Sequence, residues 1–188
     1  MTDEKQQAAN NYATTAKFCG IFDEDMQSLY LLAFLLTANH EHAEQCFCAA
    51  MEDGLNEHSV FKEWARSWSR RIVIKNAIRL FATSLSAHSR RQPDRWAEAG
   101  VELAVCTTIN SVTQLASFDR IVFVLTVLER YSARECALLL DCSVGDVQGA
   151  RMRALQQLPA LYLRTAADAE DFPPRYQSLQ REYERSRP

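Results

Sequence analysis

Residues Leu115–Leu158 read LASFDRIVFVLTVLERYSARECALLLDCSVGDVQGARMRALQQL. Within this stretch Ser132 stands before a short amphipathic run, ARECALLL (133–140). A serine there caps a helix by accepting a hydrogen bond from an otherwise unpaired amide. Asp141-Cys142 supplies a tight turn, and Ser143 then caps a second helix, Val144 to Leu158. Two helices joined by such a turn form a helix-turn-helix, whose second helix fits the major groove of DNA. On geometry alone a generic helical hairpin stays open beside it. The run before it, Ile121–Leu128 (IVFVLTVL), is rich in β-branched residues and suits a buried strand by propensity. The helical pair that follows decides for helix.

Upstream the pattern is also helical. The chain has five glycines and five prolines, and the first proline is Pro93. From Asp23 to Gly54, Leu29, Leu32, Ala33 and Leu36 form one stripe. Ala43, Phe47, Ala50 and Met51 form another after a break at Ala38-Asn39-His40, and Gly54 with Asn56 ends that helix. A third helix runs from Val60 to Phe81, with Phe61, Trp64, Trp68 and Ile72 on one side. Ser84–Gly100 is polar and holds Pro93, so it reads as linker, and helical pattern resumes near Val101. Beyond Arg164 the chain is polar, with Pro173-Pro174. The expected fold is all-α: a helical domain over 1–83, a linker over 84–112, a helix-turn-helix domain over 113–163 and a polar tail over 164–188.

Composition bounds the function. Of 188 residues, 47% are hydrophobic and 24% charged, the balance of an ordinary globular protein and not of a disordered one. The longest unbroken apolar run is Leu29–Leu36, too short to cross a bilayer, so no membrane insertion is expected. The opening MTDEKQQAANNYATT has no apolar core, which excludes a secretory signal and makes the expected location cytoplasmic. In that compartment the six cysteines are expected to be reduced. His42 and Cys46 share a helix face as zinc ligands do. Cys48 points away from Cys46, which spoils a four-ligand cage with His40, so no metal is expected. Paired catalytic carboxylates, a nucleophile motif and a nucleotide-binding glycine loop are all missing. The expectation is a non-enzyme without cofactors.

The net charge of −3 hides a segregation. Residues 1–60 carry two basic and ten acidic side chains, 61–95 nine basic and two acidic, and 96–188 ten basic and twelve acidic. A basic segment inside an acidic protein suits a polyanion, because each phosphate neutralised releases counterions. It equally suits a solvated helix face that pairs with the acidic first third.

Taken whole, Leu115–Leu158 resembles region 4 of bacterial extracytoplasmic-function sigma factors, carried by the CSVGDV step and the spacing from Phe123 through Ser132 and Ala137 to Leu158. LLAFLLTANHEHAEQCFCAAMED followed by FKEWARSWSRRIVIKNAIR resembles region 2 of the same family. The resemblance implies a protein that binds core RNA polymerase and promoter DNA and is held by an anti-sigma factor. It implies that Arg66, Arg70, Arg71, Lys75, Asn76 and Arg79 meet the single-stranded −10 element, with Trp64 and Trp68 read as core before base stacking. It places the polymerase contact at Glu44, Gln45 and Cys48. It sets Ser143, Asp146, Gln148, Gly149, Ala150, Arg151 and Arg153 at or near the −35 element, where arginine pairs with guanine and glutamine with adenine.

The sequence departs from the family at telling places. Asp146, Gln148, Gly149 and Ala150 stand where the family carries basic or hydroxyl residues. Arg151 stands at a usual leucine, on the expected stripe Val147–Arg151–Ala154–Leu158, which calls for a snorkelling arginine or a rotated helix. Gln45-Cys46 replaces Asp-Leu. The alternative function is therefore a sigma-like interaction regulator that has lost promoter reading and binds polymerase or an anti-sigma partner.

Overall fold

In the computed structural model, residues 12–56, 60–84, 93–96 and 103–170 are described. They are helical, with no strand among them beyond one isolated bridge between Tyr12 and Phe61. The chain divides into two compact units between Gln92 and Pro93.

The first unit holds α1 (Thr15–Glu24), α2 (Met26–Thr37), α3 (His40–Asn56) and α4 (Ala65–Ser84). Thr14 caps α1 by accepting from the Lys17 amide. α2 is apolar almost all round, and Leu29, Leu32, Ala33, Phe34, Leu35 and Leu36 are buried, as expected of a helix surrounded by partners. Ala38 adopts a left-handed conformation (φ 53°) that ends α2. Asn39 starts α3 by accepting from the His42 amide at 2.9 Å. The break expected at 38–40 is thus a real pair of caps.

α3 turns small residues inward, Ala43, Cys46, Ala50 and Gly54. Gly54 does not terminate the helix, which continues to Asn56. A Cβ on it would stand 3.3 Å from Phe22 Cε2 and 3.7 Å from Phe18 Cδ1, so the glycine permits close approach of two aromatic rings.

The third expected helix begins later than its periodicity suggests. Lys62–Trp64 forms a 3₁₀ turn, and the α-helix starts at Ala65. At three residues per turn, Phe61 and Trp64 fall out of phase with Trp68 and Ile72. Trp64 is therefore 63% exposed, which corrects its placement in the core. Trp68 packs on Phe18, with ring centroids 5.1 Å apart.

The second unit includes more chain than the expected 113–163. The segment 93–96 is pinned by Asn110, which accepts from the Trp96 amide at 2.7 Å and donates to its carbonyl at 3.1 Å. α5 (Leu103–Thr113) buries Cys106, Ile109 and Val112, so these residues are domain and not linker. α6 (Ser117–Phe123) runs into a π-turn, Val124–Leu128. The β-branched run is thus helical, as its sequel requires. The Arg120 guanidinium donates to the Thr113 and Leu115 carbonyls and so caps the end of α5. Burial lowers its pKa to about 10.

α7 (Ala133–Leu140) opens with a reciprocal capping box between Ser132 and Glu135. Asp141, left-handed at φ 50°, ends it. α8 (Val144–Glu170) is longer than expected and continues past Arg164. Thr165, buried, donates to the Leu161 carbonyl. The tail from 171 and the expected linker at 85–92 lie outside the described residues. Among the described residues no helix is long and apolar enough to cross a membrane.

Candidate nucleic-acid and polymerase interfaces

The cations of α4 divide by face. Arg66 points to α1 and its end, with NH2 at 2.5 Å from Glu24 and NH1 at 2.8 Å from Asp25. Arg70 donates to Ser28 Oγ at 3.2 Å. Asn76 is buried and donates to Asp53 and to the Ile72 carbonyl, tying α4 to α3. Arg79 reaches Asn76 Oδ1 at 3.4 Å and Asp53 at 3.9 Å. Arg71 and Lys75, one turn apart, are exposed and make no ion pair among the described residues. The acidic first third therefore takes up Arg66 and Arg79 and leaves Arg71 and Lys75 to solvent. Exposed pairs of this kind hold by at most about 1 kcal/mol, so Arg66 is recruitable by a stronger anion.

An aromatic group lies at the start of the same helix. Trp64 meets Phe61 edge-on (5.4 Å, 80°), and Phe61 stacks on Tyr12 (4.9 Å, 21°). The exposed Trp64 was missed by periodicity. Its signal lies in the backbone, where the Ala13 amide donates to the Val60 carbonyl at 2.7 Å and holds the chain out of the helix. No local sequence pattern carries that pairing.

On α3, Glu44, Gln45 and Cys48 are all exposed, between exposed Glu41 and Glu52. The result is a polar, acidic stripe at three- and four-residue spacing. Gln45 also lines a shallow depression of about 240 Å³ with Cys46, Asn76 and Arg79. The histidine-cysteine cluster does not converge. The His40 ring lies on Phe34 (4.5 Å) with Nδ1 3.0 Å from the Tyr30 hydroxyl. Cys46 faces the core, where burial pushes its thiol up to about 12. No group of three ligand-type side chains meets among the described residues.

In the second unit, α7, the turn and α8 have helix-turn-helix connectivity. The N-terminus of α8 is already occupied. The Ser143 amide and hydroxyl both donate to Asp146 Oδ2, at 3.1 and 2.7 Å, and the Asp146 amide donates to Ser143 Oγ at 3.0 Å. These bonds hold the Asp146 carboxyl below its ordinary range. A negative group thus sits where a phosphate would bind.

Arg153 donates twice to Asp119, from Nε at 3.0 Å and NH2 at 2.7 Å. This bidentate fork raises the arginine's pKa, and the aspartate it holds is buried. Gly149 lies beside this fork, where a Cβ would stand 3.4 Å from Arg153 NH1, an ordinary contact.

The inward stripe of α8 is Val147, Ala150 and Ala154. Ala150 is therefore core and not at the groove, and Arg151 is exposed. The helix is rotated relative to the expected Val147–Arg151–Ala154–Leu158 stripe, because a short alanine packs closer than an arginine can. Of Ser143, Gln148, Arg151 and Arg153, only Gln148 and Arg151 are exposed and unpaired among the described residues.

No protein-family model matches the chain. No curated protein matches it either. Among solved structures, the chain is similar to the sigma factor RpoE of Bartonella quintana, solved in complex with the anti-sigma factor NepR. The identity is 16% and the TM-score 0.48, over 77% of this chain and 95% of that one.

Proposed function

We propose that the protein is a sigma-type subunit that binds core RNA polymerase through the Glu44–Gln45–Cys48 face and engages promoter DNA mainly through α4. The observation that carries this reading is the pair Arg71 and Lys75, exposed and without an ion pair among the described residues, with Trp64 exposed at the start of the same helix. Single-stranded nucleic acid asks for that combination, cations along a backbone and a flat ring for stacking. Arg70 and Arg66 extend the cationic surface once an anion competes for them. Gln148 and Arg151 are the residues of the second unit left for the −35 element.

A second reading is favoured by Arg153 and Asp146. Both are turned to the fold's own needs, so the helix-turn-helix serves as a protein-binding body while polymerase or an anti-sigma partner is the target. One experiment separates them. Purified core polymerase is incubated with the protein, and the complex is titrated with forked promoter DNA at rising salt. Co-migration with polymerase and salt-dependent DNA binding that weakens in Arg71→Ala/Lys75→Ala supports the first reading. Co-migration without DNA binding supports the second, and no co-migration removes both polymerase readings.

A further inference from the structure

Two thiols meet at the helix turn of the second unit. Asp141, at φ 50°, ends α7, and the Cys142 amide then donates to the Ala137 carbonyl at 3.1 Å. A bond of that reach after a left-handed residue is a Schellman motif, which folds the residue beyond the turn back onto the last turn of its own helix. Cys142 is thereby laid against Ala137 and Cys136. The electrostatics carry the same proximity. Burial pushes the Cys136 thiol up to about 11, and Glu135 and the Cys142 thiol add to it. The Cys46 thiol, by contrast, is raised by burial alone. Cys136 is fully buried, Cys142 is part-buried, and both are free.

We propose that Cys136 and Cys142 form a peroxide-sensitive dithiol, which closes to a disulfide across the turn and latches the end of α7 to the start of α8. Cys142, which solvent reaches, reacts first. Its sulfur takes one oxygen of hydrogen peroxide, the O–O bond breaks, and the thiol proton leaves with the other oxygen as water. The Cys136 sulfur then attacks the Cys142 sulfenic acid. The S–S bond forms, the S–O bond breaks, and a second water leaves. Two thiols are oxidised and one peroxide is reduced.

The acidic neighbours select the oxidant. Burial, Asp146 and Asp141 all push the Cys142 thiol up, so thiolate is scarce at neutral pH and the pair reacts slowly. The same carboxylates repel an anionic disulfide such as oxidised glutathione and leave neutral peroxide unhindered. Because Cys136 lies in the core, closure draws the turn inward and fixes Ser143, whose hydroxyl accepts from the Asp146 amide at the start of α8. The bond forms or fails whatever the chain binds, so its test is independent of the sigma-type reading.

Trypsin cleaves after Arg134 and Arg151, so the peptide 135–151 carries both thiols and no other cysteine. The full chain is treated with millimolar hydrogen peroxide at about pH 8, where thiolate begins to form, then denatured, alkylated, digested and weighed. The expected peptide is lighter by two hydrogen atoms, takes no alkyl group, and returns to the reduced form with dithiothreitol. Cys136→Ala should leave the Cys142 sulfenic acid open to dimedone, several-fold more than in the wild type. Cys142→Ala alters a turn position alone and should leave Cys136 fully alkylated, which keeps the test readable if the buried site rejects alanine. Amides 141–147 should exchange with deuterium more slowly in the oxidised protein than in the reduced one. Alkylation of both thiols after a peroxide dose that oxidises exposed Cys48 overturns the proposal. So does equal dimedone capture in Cys136→Ala and wild type, or amide exchange that oxidation leaves unchanged.

Discussion

An arginine at position 153 of a helix-turn-helix has two possible employments, a phosphate or base outside, or a carboxylate of its own fold. The two-pronged bond to buried Asp119 gives it the second. Removing one partner of such a pair leaves an uncompensated charge in the interior, which is more costly than losing an exposed contact. Arg153→Met should therefore lower the melting temperature by several degrees in a thermal scan. An unchanged melting temperature with weakened DNA binding would return the residue to the groove. Cys46 gives a pH signature. Its thiol titrates at the ordinary 9.0 in the unfolded chain and at about 12 when folded, because burial disfavours the thiolate. Between those values the unfolded chain binds fewer protons. Stability is thus fully present below about 9 and falls as pH rises toward 12. Urea midpoints at pH 8 and pH 10 should show the fall, and Cys46→Ala should reduce it.

At the scale of elements, the parts written in local chemistry were legible and those set by distant partners were not. Ser132 and Ser143 announce helix starts, and both make the reciprocal bonds of a capping box. Replacing Ser132 by alanine should cost about 1 kcal/mol, read as a shift of the denaturation midpoint. The α2–α3 break and the helical character of Ile121–Leu128 were equally readable, since each follows from its neighbours. Trp64 was not, because its exposure depends on a backbone pairing between Ala13 and Val60 that periodicity does not encode. The rotation of α8 was visible only as a conflict, Arg151 on an apolar stripe. The resolution needed Ala150 against the neighbouring helices and Asp119 under Arg153. Of the candidate site, the gathering of the cations on one helix is readable from spacing, but their division into paired and unpaired cations depends on where the acidic helix ends Glu24 and Asp25 are placed. Gly54 is a similar case. Gly54→Val should destabilise the first unit by about 1–3 kcal/mol, since the new side chain would displace Phe22.

Over the whole molecule, charge is segregated by sequence and then partly cancelled by folding. The basic 61–95 stretch counts nine cations, yet within α4 the acidic first third engages Arg66 and Arg79 and leaves Arg71 and Lys75 without an ion pair among the described residues. What matters for a polyanion is that remainder, because only a cation that is free, or freed cheaply, releases counterions on binding. If Arg70, Arg71 and Lys75 each neutralise one phosphate of a single strand, the polymerase-bound protein should show a log–log salt slope of about −2. Arg71→Ala/Lys75→Ala should bring it to about −0.7, and Arg151→Ala should change it by at most about one duplex contact. A slope near about −3.5 would mean that the acidic partners let go of both Arg66 and Arg79 on binding. A slope near zero would mean that the first unit meets protein and not nucleic acid. Fluorescence anisotropy of forked promoter DNA across a salt series distinguishes these outcomes, and the acidic residues that take up Arg66 supply the control. Glu24→Gln/Asp25→Asn frees Arg66 and should steepen the slope by about 0.7, whereas a purely structural surface would leave it unmoved.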